Sequence, residues 1–100
     1  MAARITTDGP AKPVTAVSRA ALILRHLGRS SEPLGVNRIA RELDLIPSTA
    51  LHILRTLAYE DLVVFDPNTK HYSLGIGILG IARNMLSRSE FVQAAQGYLE

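Results

Sequence analysis

The chain has 100 residues, of which 47% are hydrophobic and 20% are charged, a composition typical of a globular domain rather than a disordered segment. The absence of cysteine excludes disulfides, zinc sites with thiolate ligands and cysteine nucleophiles. The three histidines (His26, His52 and His71) lie far apart, so no spacing indicates a metal site. Because aromatic residues make up only 5% of the chain, we expect an aliphatic core.

The net charge is +2, but the basic residues are concentrated in the first part of the chain. Residues 1–58 hold eight Lys and Arg against four Asp and Glu, whereas residues 59–100 hold three against five. This asymmetry favours a polyanionic partner. The longest apolar run, 76–86, is about half a membrane span and contains Arg83, and the N-terminus lacks the apolar stretch of a signal peptide. We therefore expect a cytoplasmic protein with no membrane partner.

Helical periodicity begins at Thr15, after a tail that contains proline and glycine but no regular pattern. We expect Thr15 to be the N-cap of this first helix and Gly28 to end it. Leu34–Gly35 is expected to form a short extended piece. The apolar residues of the helix share the i, i+3, i+4, i+7 spacing: Val17, Ala20, Ala21, Leu24 and Leu27.

Two more helices are predicted on either side of a tight turn. The first is short and begins at Val36. The second begins at Pro47, which suits the first helical position because it lacks an N–H, and it runs to about Glu60. The residues between them, 44–46, are too few to form anything except a turn.

The periodicity then changes from helical to alternating, which predicts a β-hairpin. Leu62–Phe65 is rich in β-branched and aromatic residues, Asp66–Thr69 contains turn residues, and Lys70–Leu74 alternates between polar and apolar. The pattern becomes helical again over Ile76–Ser87, and Phe91–Tyr98 is a last amphipathic segment.

This order of elements predicts the fold class: mainly α with a small β-hairpin (α+β), a winged helix-turn-helix followed by a linker helix. The predicted organisation has four parts: a flexible N-terminal tail at 1–14, the winged helix-turn-helix at 15–75 (helix-turn-helix about 36–59, wing 62–74), a linker helix at 76–87, and the start of a truncated further domain at 88–100.

The third helix is predicted to bury one face and expose the other. Ser48, His52 and Arg55 lie on the exposed face with Thr49 beside them, and no carboxylate follows until Glu60. Arginine can bond guanine O6 and N7, while hydroxyls, imidazoles and helix N-termini can contact bases or phosphates. The alternative is an ordinary solvated helix face. The expected buried face consists of Ala50, Ile53, Leu54 and Leu57.

Other polar and basic residues are candidates for contacts with DNA phosphates. They are Lys70 and His71 in the wing, Asn37 and Arg38 at the start of the second helix, and Arg19 in the first helix. Two alternatives stay open, because Arg19 could instead tie its helix to a neighbour and the wing residues could be ordinary turn residues.

Residues 75–80 read Gly-Ile-Gly-Ile-Leu-Gly, the spacing of a dinucleotide-binding loop. The context does not match, because the preceding strand belongs to a hairpin and no second parallel strand follows. We expect these glycines to let the chain leave the wing and to let the linker helix pack closely. No other spacing indicates catalytic residues, so the sequence predicts a protein that is not an enzyme and has no cofactor.

Several segments together resemble the IclR-type transcriptional regulators of bacteria, over residues 14–87. The resemblance implies a double-stranded DNA operator, a homodimer or tetramer, and a small-molecule effector bound by a C-terminal domain of which residues 91–100 would be the first helix. The segments that carry it are Ala16–Leu24 with its Arg at Arg19, Ile39–Leu45, Ser48-Thr49, Leu54–Leu57 and the wing, Asp66–Gly75.

Three positions depart from the pattern of that family. Asp44 stands at the turn where the family usually has glycine, and Pro47 stands where a basic residue often precedes Ser-Thr. Leu51-His52 stand where a His-Arg pair is common. The resemblance therefore implies where DNA contacts lie but not which bases are preferred.

The sequence predicts a sequence-specific double-stranded DNA-binding domain, with the helix at 47–60 in the major groove and the wing on the flanking backbone. The resemblance implies that this domain belongs to a ligand-responsive transcriptional regulator. Two alternatives stay open. One is a winged helix that binds protein and not DNA, for which binding would be insensitive to salt. The other is a nucleotide-binding fragment that uses the glycines of residues 75–80.

Overall fold

The computed structural model describes residues 12–88, which form four helices and one three-stranded sheet. The predicted tail up to residue 11 and the amphipathic segment 91–98 lie outside the described residues. The fold is mainly helical and is a winged helix-turn-helix, as predicted, while the division into domains stays a prediction. In chain order the elements are α1 (Thr15–Arg29), β1 (Leu34–Gly35), α2 (Val36–Leu43), α3 (Pro47–Tyr59), β2 (Val63–Asp66), β3 (His71–Leu74) and α4 (Gly77–Leu86).

The sheet is antiparallel throughout, with the strand order β1-β3-β2. The predicted hairpin is confirmed, since β2 pairs with β3 in a register that sets Val63 opposite Leu74. The short extended piece also pairs: Leu34 lies opposite Tyr72, so β1 becomes a third strand rather than a loop. This pairing ties the wing to the start of the helix-turn-helix.

One hydrophobic core joins the helices to the sheet, and it is aliphatic apart from Tyr72. The predicted buried face of α3 is confirmed, because Ala50, Leu54 and Leu57 are buried and Ile53 packs against the core. The core cluster consists of Ile23, Leu27, Leu34, Ile39, Leu54, Leu57, Val63 and Tyr72.

The limits of α1 differ from the prediction at both ends. The N-cap is Val14, and Thr15 is already helical. The helix passes through Gly28 and ends at Arg29, because Ser30 turns into an extended conformation while its N–H still bonds the carbonyl of Leu27. A Cβ at Gly28 would make only an ordinary contact, 3.4 Å from the side chain of Leu74, so packing does not require glycine there.

The apolar stripe of α1 also lies differently from the prediction. Ile23, which falls outside the predicted stripe, is fully buried, whereas Val17 is 64% exposed. Ala20 and Leu24 pack against the core, as expected. The helix presents the Ile23 and Leu27 side to the core because α3 and β3 pack against that side.

Aspartates in the left-handed conformation follow the two helices of the helix-turn-helix, α2 and α3. Asp44 has φ 56°, and the N–H of Leu45 bonds the carbonyl of Ala40 at 2.8 Å. Asp61 has φ 65°, and the N–H of Leu62 bonds the carbonyl of Leu57 at 2.9 Å. Both arrangements are Schellman motifs, in which glycine is the usual left-handed residue and aspartate is tolerated. This geometry is a physical reason why the family that the sequence resembles usually has glycine where this chain has Asp44.

The glycines that follow the wing allow a close backbone approach. The N–H of Gly75 bonds the carbonyl of Leu62, and the N–H of Gly77 bonds that of Asp61, each at 2.9 Å. A Cβ at Gly75 or Gly77 would lie 2.6 or 2.5 Å from the Asp61 carbonyl oxygen, so both glycines are required there. The expected packing role is thus confirmed for these two residues, but not for Gly80, which has open space around it.

The last described helix, α4, packs loosely on the rest of the fold. It has no buried residue, and Ile81 is 74% exposed. Leu79, Met85 and Leu86 are exposed as well, so an apolar surface remains without a partner within residues 12–88. Over the same residues, we find no helix whose length and hydropathy would suffice to span a membrane.

Candidate nucleic-acid interface

The outward face of α3 is the centre of the candidate interface. Pro47 occupies the first turn and Ile46 is an extended N-cap, which starts the helix directly after the short turn. Because Ala50, Leu54 and Leu57 are held in the core, the opposite side of the helix faces outward. The predicted exposed residues are confirmed as exposed, and Thr49 lies partly exposed at the edge; the exposed residues are Ser48, His52 and Arg55.

The two flanks of α3 border different clefts. On one flank, His52 and Thr56 face the start of α1 across an apolar cleft that also contains Val17. The hydroxyl of Thr56 donates to the backbone carbonyl of His52 at 3.2 Å, so it is engaged within the helix. On the other flank, Leu51 and Arg55 face the wing.

The cleft between α3 and the wing is lined by two cationic side chains and by apolar ones. Its volume is about 350 Å³, and the rings of Phe65 and Tyr72 lie 4.9 Å apart at an angle of 43°. Arg55 of α3 and Lys70 of the wing both line it, and among the described residues no carboxylate does. The full lining is Val36, Leu51, Arg55, Ala58, Phe65, Lys70 and Tyr72. We will call this space the α3–wing cleft.

The turn of the wing is built around Asp66 and places Lys70 at its end. The carboxylate of Asp66 accepts a hydrogen bond from the N–H of Asn68 at 2.9 Å, and the Asp66 carbonyl accepts one from the N–H of Lys70 at 2.6 Å. Lys70 has φ 61°, so its backbone is left-handed. The hydroxyl of Thr69 accepts from the N–H of His71 at 3.3 Å. All the turn residues are exposed.

The structure brings most of the other predicted contact residues to a second cleft, next to the first. Asn37 and Arg38 at the start of α2 line it together with Lys70 and His71 of the wing. Its volume is about 400 Å³, and Glu32 is its acidic member. Arg19 lies apart from this group, partly exposed on α1. None of these contacts is tested by the structure, so each stays a prediction.

The side chain of Arg38 is engaged by carboxylates. Its Nε donates to Glu42 Oε2 at 2.8 Å, and its Nη1 lies 3.5 Å from Glu32 Oε2. The other oxygen of Glu42 lies 2.7 Å from His26 Nε2. The hydrogen bond from Arg38, followed by the one from His26, lowers the pKa of Glu42 below its ordinary value, and the pKa of Arg38 is raised. A phosphate would therefore have to compete with two carboxylates for Arg38.

Three features of the site were not predicted from the sequence, although one of them left a local signal. The Arg38–Glu42 pair has the i, i+4 spacing that stabilises helices, which was a usable signal. His26 joins this pair across 16 residues of sequence, and no local pattern predicts that contact. The apolar lining of the α3–wing cleft is likewise not predicted by any local pattern, because Phe65 and Tyr72 line the same cleft as Leu51 only after folding.

Comparison with known proteins identifies relatives of one kind. The family model of the IclR helix-turn-helix domain matches residues 16–67. The glycerol operon regulatory protein of Streptomyces griseus is 35% identical over 80 residues, which are 80% of this chain and 32% of that protein. A crystal structure of an IclR transcriptional regulator from Alicyclobacillus acidocaldarius has a TM-score of 0.76 and 30% identity, over 85% of this chain and 35% of that one.

A second solved structure, an IclR family transcriptional regulator from Brucella abortus, has a TM-score of 0.71 and 31% identity, over 77% of this chain and 30% of that one. The chain thus spans about a third of the length of the proteins it resembles. Those proteins are regulators of transcription and not enzymes.

Proposed function

The chain belongs to the IclR helix-turn-helix family, as a DNA-binding domain of a transcriptional regulator, and from that premise we propose how it recognises DNA. Helix α3 enters the major groove of double-stranded DNA, and the wing lies on the flanking backbone. The domain reads a specific sequence in this way. The observation that supports this most directly is the outward face of α3, where Ser48, His52 and Arg55 are exposed and the helix itself, Pro47–Tyr59, contains no carboxylate.

Each residue of this face has a contact that suits its chemistry. The guanidinium of Arg55 can bond guanine O6 and N7 together, which is the most discriminating contact available in the major groove. His52 reaches a base or a phosphate. Ser48 and Thr49 lie in the first turn of α3, where backbone N–H groups without helical partners favour an anion such as a phosphate.

The wing and the start of α2 contact the DNA backbone on either side of α3. Lys70 lies beside Arg55 at the α3–wing cleft, so a strand held between α3 and the wing passes both cations. Asn37 and His71 are exposed at the neighbouring cleft and add polar contacts to phosphates. Arg38 contributes less, because Glu42 and Glu32 already engage it.

The regulator acts as a homodimer or tetramer in the cytoplasm, with one half-site of an operator for each copy. The exposed apolar residues of α4, such as Leu79 and Ile81, offer a surface for a second copy. A small-molecule effector acts through a further domain. This chain covers 32% of the length of one relative and 35% of another, so in those proteins the remaining length leaves room for such a domain.

The test is a selection of random-sequence DNA duplexes by the 100-residue chain, followed by affinity measurements over a range of salt concentrations. We expect one sequence motif to be enriched and the logarithm of affinity to fall linearly with the logarithm of salt concentration, because each neutralised phosphate releases counterions. Failure to enrich any motif, or affinity that does not change with salt, would contradict the proposal and favour a protein-binding role.

A further inference from the structure

The α3–wing cleft contains an apolar side chain to which the contacts proposed above assign no role. Leu51 lies on the wing-facing flank of α3, one turn after Ser48 and one turn before Arg55. It is partly exposed, and it is not among the partly buried residues that pack against the hydrophobic core. The apolar surface of Leu51 is therefore available to a ligand in the cleft.

The surroundings of Leu51 suit DNA rather than a protein segment or a membrane. Arg55 and Lys70 line the same cleft, and none of its lining residues within 12–88 is acidic, so the cleft attracts an anion. The same cleft also contains the largely apolar side chains of Val36, Phe65 and Tyr72. A ligand that fits this cleft combines negative charge with an apolar group. A DNA strand meets both requirements where a thymine presents its 5-methyl group in the major groove.

We propose that Leu51 recognises the 5-methyl group of a thymine, and this inference rests on the proposed function. Leu51 and Arg55 are four residues apart on one helix, which is about 6 Å along its axis, or about two base-pair steps of DNA. The thymine therefore lies within about two base pairs of the guanine that Arg55 contacts. Leu51 is a specificity-determining residue that favours thymine over the other bases at one operator position.

The other flank of α3 does not provide such a contact. There His52 and Thr56 face the start of α1, and the apolar residues of that cleft include Ile53 and Leu57, which belong to the core or pack on it. Among the described residues of α3 that are not assigned to the core, Leu51 thus combines an apolar side chain with a position beside Arg55.

The experiment replaces thymine by uracil, which removes the methyl group and leaves every hydrogen-bonding group in place. DNA selected by the 100-residue chain is synthesised with one thymine at a time changed to uracil, and affinities are measured by fluorescence anisotropy. We expect one position within about two base pairs of the Arg55-dependent guanine to lose about three- to five-fold in affinity, the value of one buried methyl group. With Leu51→Ala, thymine and uracil at that position should bind equally well.

The matched control is Leu22→Ala, the same substitution at a leucine of α1 that is 38% exposed. It should keep the full preference for thymine over uracil. If no position responds to uracil, or if Leu51→Ala keeps the preference, the inference is wrong while the proposed function stands. If the chain selects no sequence at all, the proposed function fails and the inference falls with it.

Discussion

Two cations line the α3–wing cleft, but they serve different contacts in the proposed complex. In that proposed complex Arg55 belongs to the helix in the major groove and can reach base edges, whereas Lys70, at the end of the wing turn, contacts the DNA backbone. Base contacts determine which sequence is bound, while phosphate contacts strengthen binding to every sequence. Substitution of Arg55 should therefore change which sequence is bound, whereas substitution of Lys70 should change the affinity for every sequence.

Arg55→Ala should weaken binding to the selected sequence by about 1–3 kcal/mol and remove the preference at one base pair, because a bidentate contact with guanine is lost. Arg55→Lys retains the charge but not the planar pair of donors, and it should also relax the preference. Arg25→Ala, at an exposed arginine of α1, serves as the control. An Arg55→Ala variant that binds the selected sequence with undiminished affinity would contradict this docking.

Lys70→Gly removes the charge without disturbing the turn, because Lys70 has a left-handed backbone that glycine adopts readily. It should weaken binding to all sequences alike and reduce the slope of log affinity against log salt by about one unit. Lys70→Arg should retain both the affinity and the slope. A slope that is the same for Lys70→Gly as for the unmodified chain would show that Lys70 contacts no phosphate.

At the scale of elements, backbone hydrogen bonds join the residues that follow α3 to the start of α4. The carbonyl of Asp61 accepts the N–H of Gly77, and the carbonyl of Leu62 accepts that of Gly75. These bonds set where the chain leaves the wing. They explain two of the three glycines in a spacing that otherwise resembles a nucleotide-binding loop, because a side chain at either position would collide with the Asp61 carbonyl.

Gly77→Ala and Gly80→Ala, two identical substitutions in α4, should have opposite effects on stability. A methyl group at Gly77 would lie 2.5 Å from the Asp61 oxygen, so we expect the free energy of unfolding to fall by about 1–3 kcal/mol. At Gly80 no atom of residues 12–88 outside the helix backbone lies within 4 Å, and alanine should raise the free energy of unfolding by about 0.5–1 kcal/mol through better helix propensity. Urea denaturation measures both. Equal effects would show that the close approach has no energetic consequence.

For the whole molecule, a network of side-chain hydrogen bonds and ion pairs links the first two helices on the surface. His26 of α1 and Arg38 of α2 share the carboxylate of Glu42, and Glu32 in the loop before β1 lies near Arg38. Because the pairs are partly exposed, each contributes little by itself. Their joint geometry nevertheless makes stability depend on the charge of Glu42.

The pKa of Glu42 is lower in the folded chain than its ordinary value of 4.5, chiefly because Arg38 donates a hydrogen bond to the carboxylate. The stabilisation is therefore complete above the ordinary pKa and is lost as the pH falls through the lowered one. Glu42→Gln should be less stable than the unmodified chain at neutral pH and should lose less stability on acidification below about pH 5. Urea denaturation between pH 3 and 7 tests this, and parallel curves for the two proteins would contradict it.

Much of the fold and part of the candidate site follow from local sequence patterns. The helical spacing of Ala50, Leu54 and Leu57 determines which side of α3 is buried and therefore that Ser48, His52 and Arg55 are exposed. The change to alternating residues predicts the hairpin because strand periodicity is also local. These features depend on residues within a few positions of one another.

Other features were decided only by the tertiary structure, because they join residues that are distant in the chain. Leu34 pairs with Tyr72 to add a third strand, His26 meets Glu42, and the Asp61 carbonyl meets Gly77. Backbone hydrogen bonding and packing between elements select these contacts, and no residue spacing encodes them. The α3–wing cleft has the same origin, since Leu51 and Tyr72 become neighbours only when the hairpin folds back beside α3.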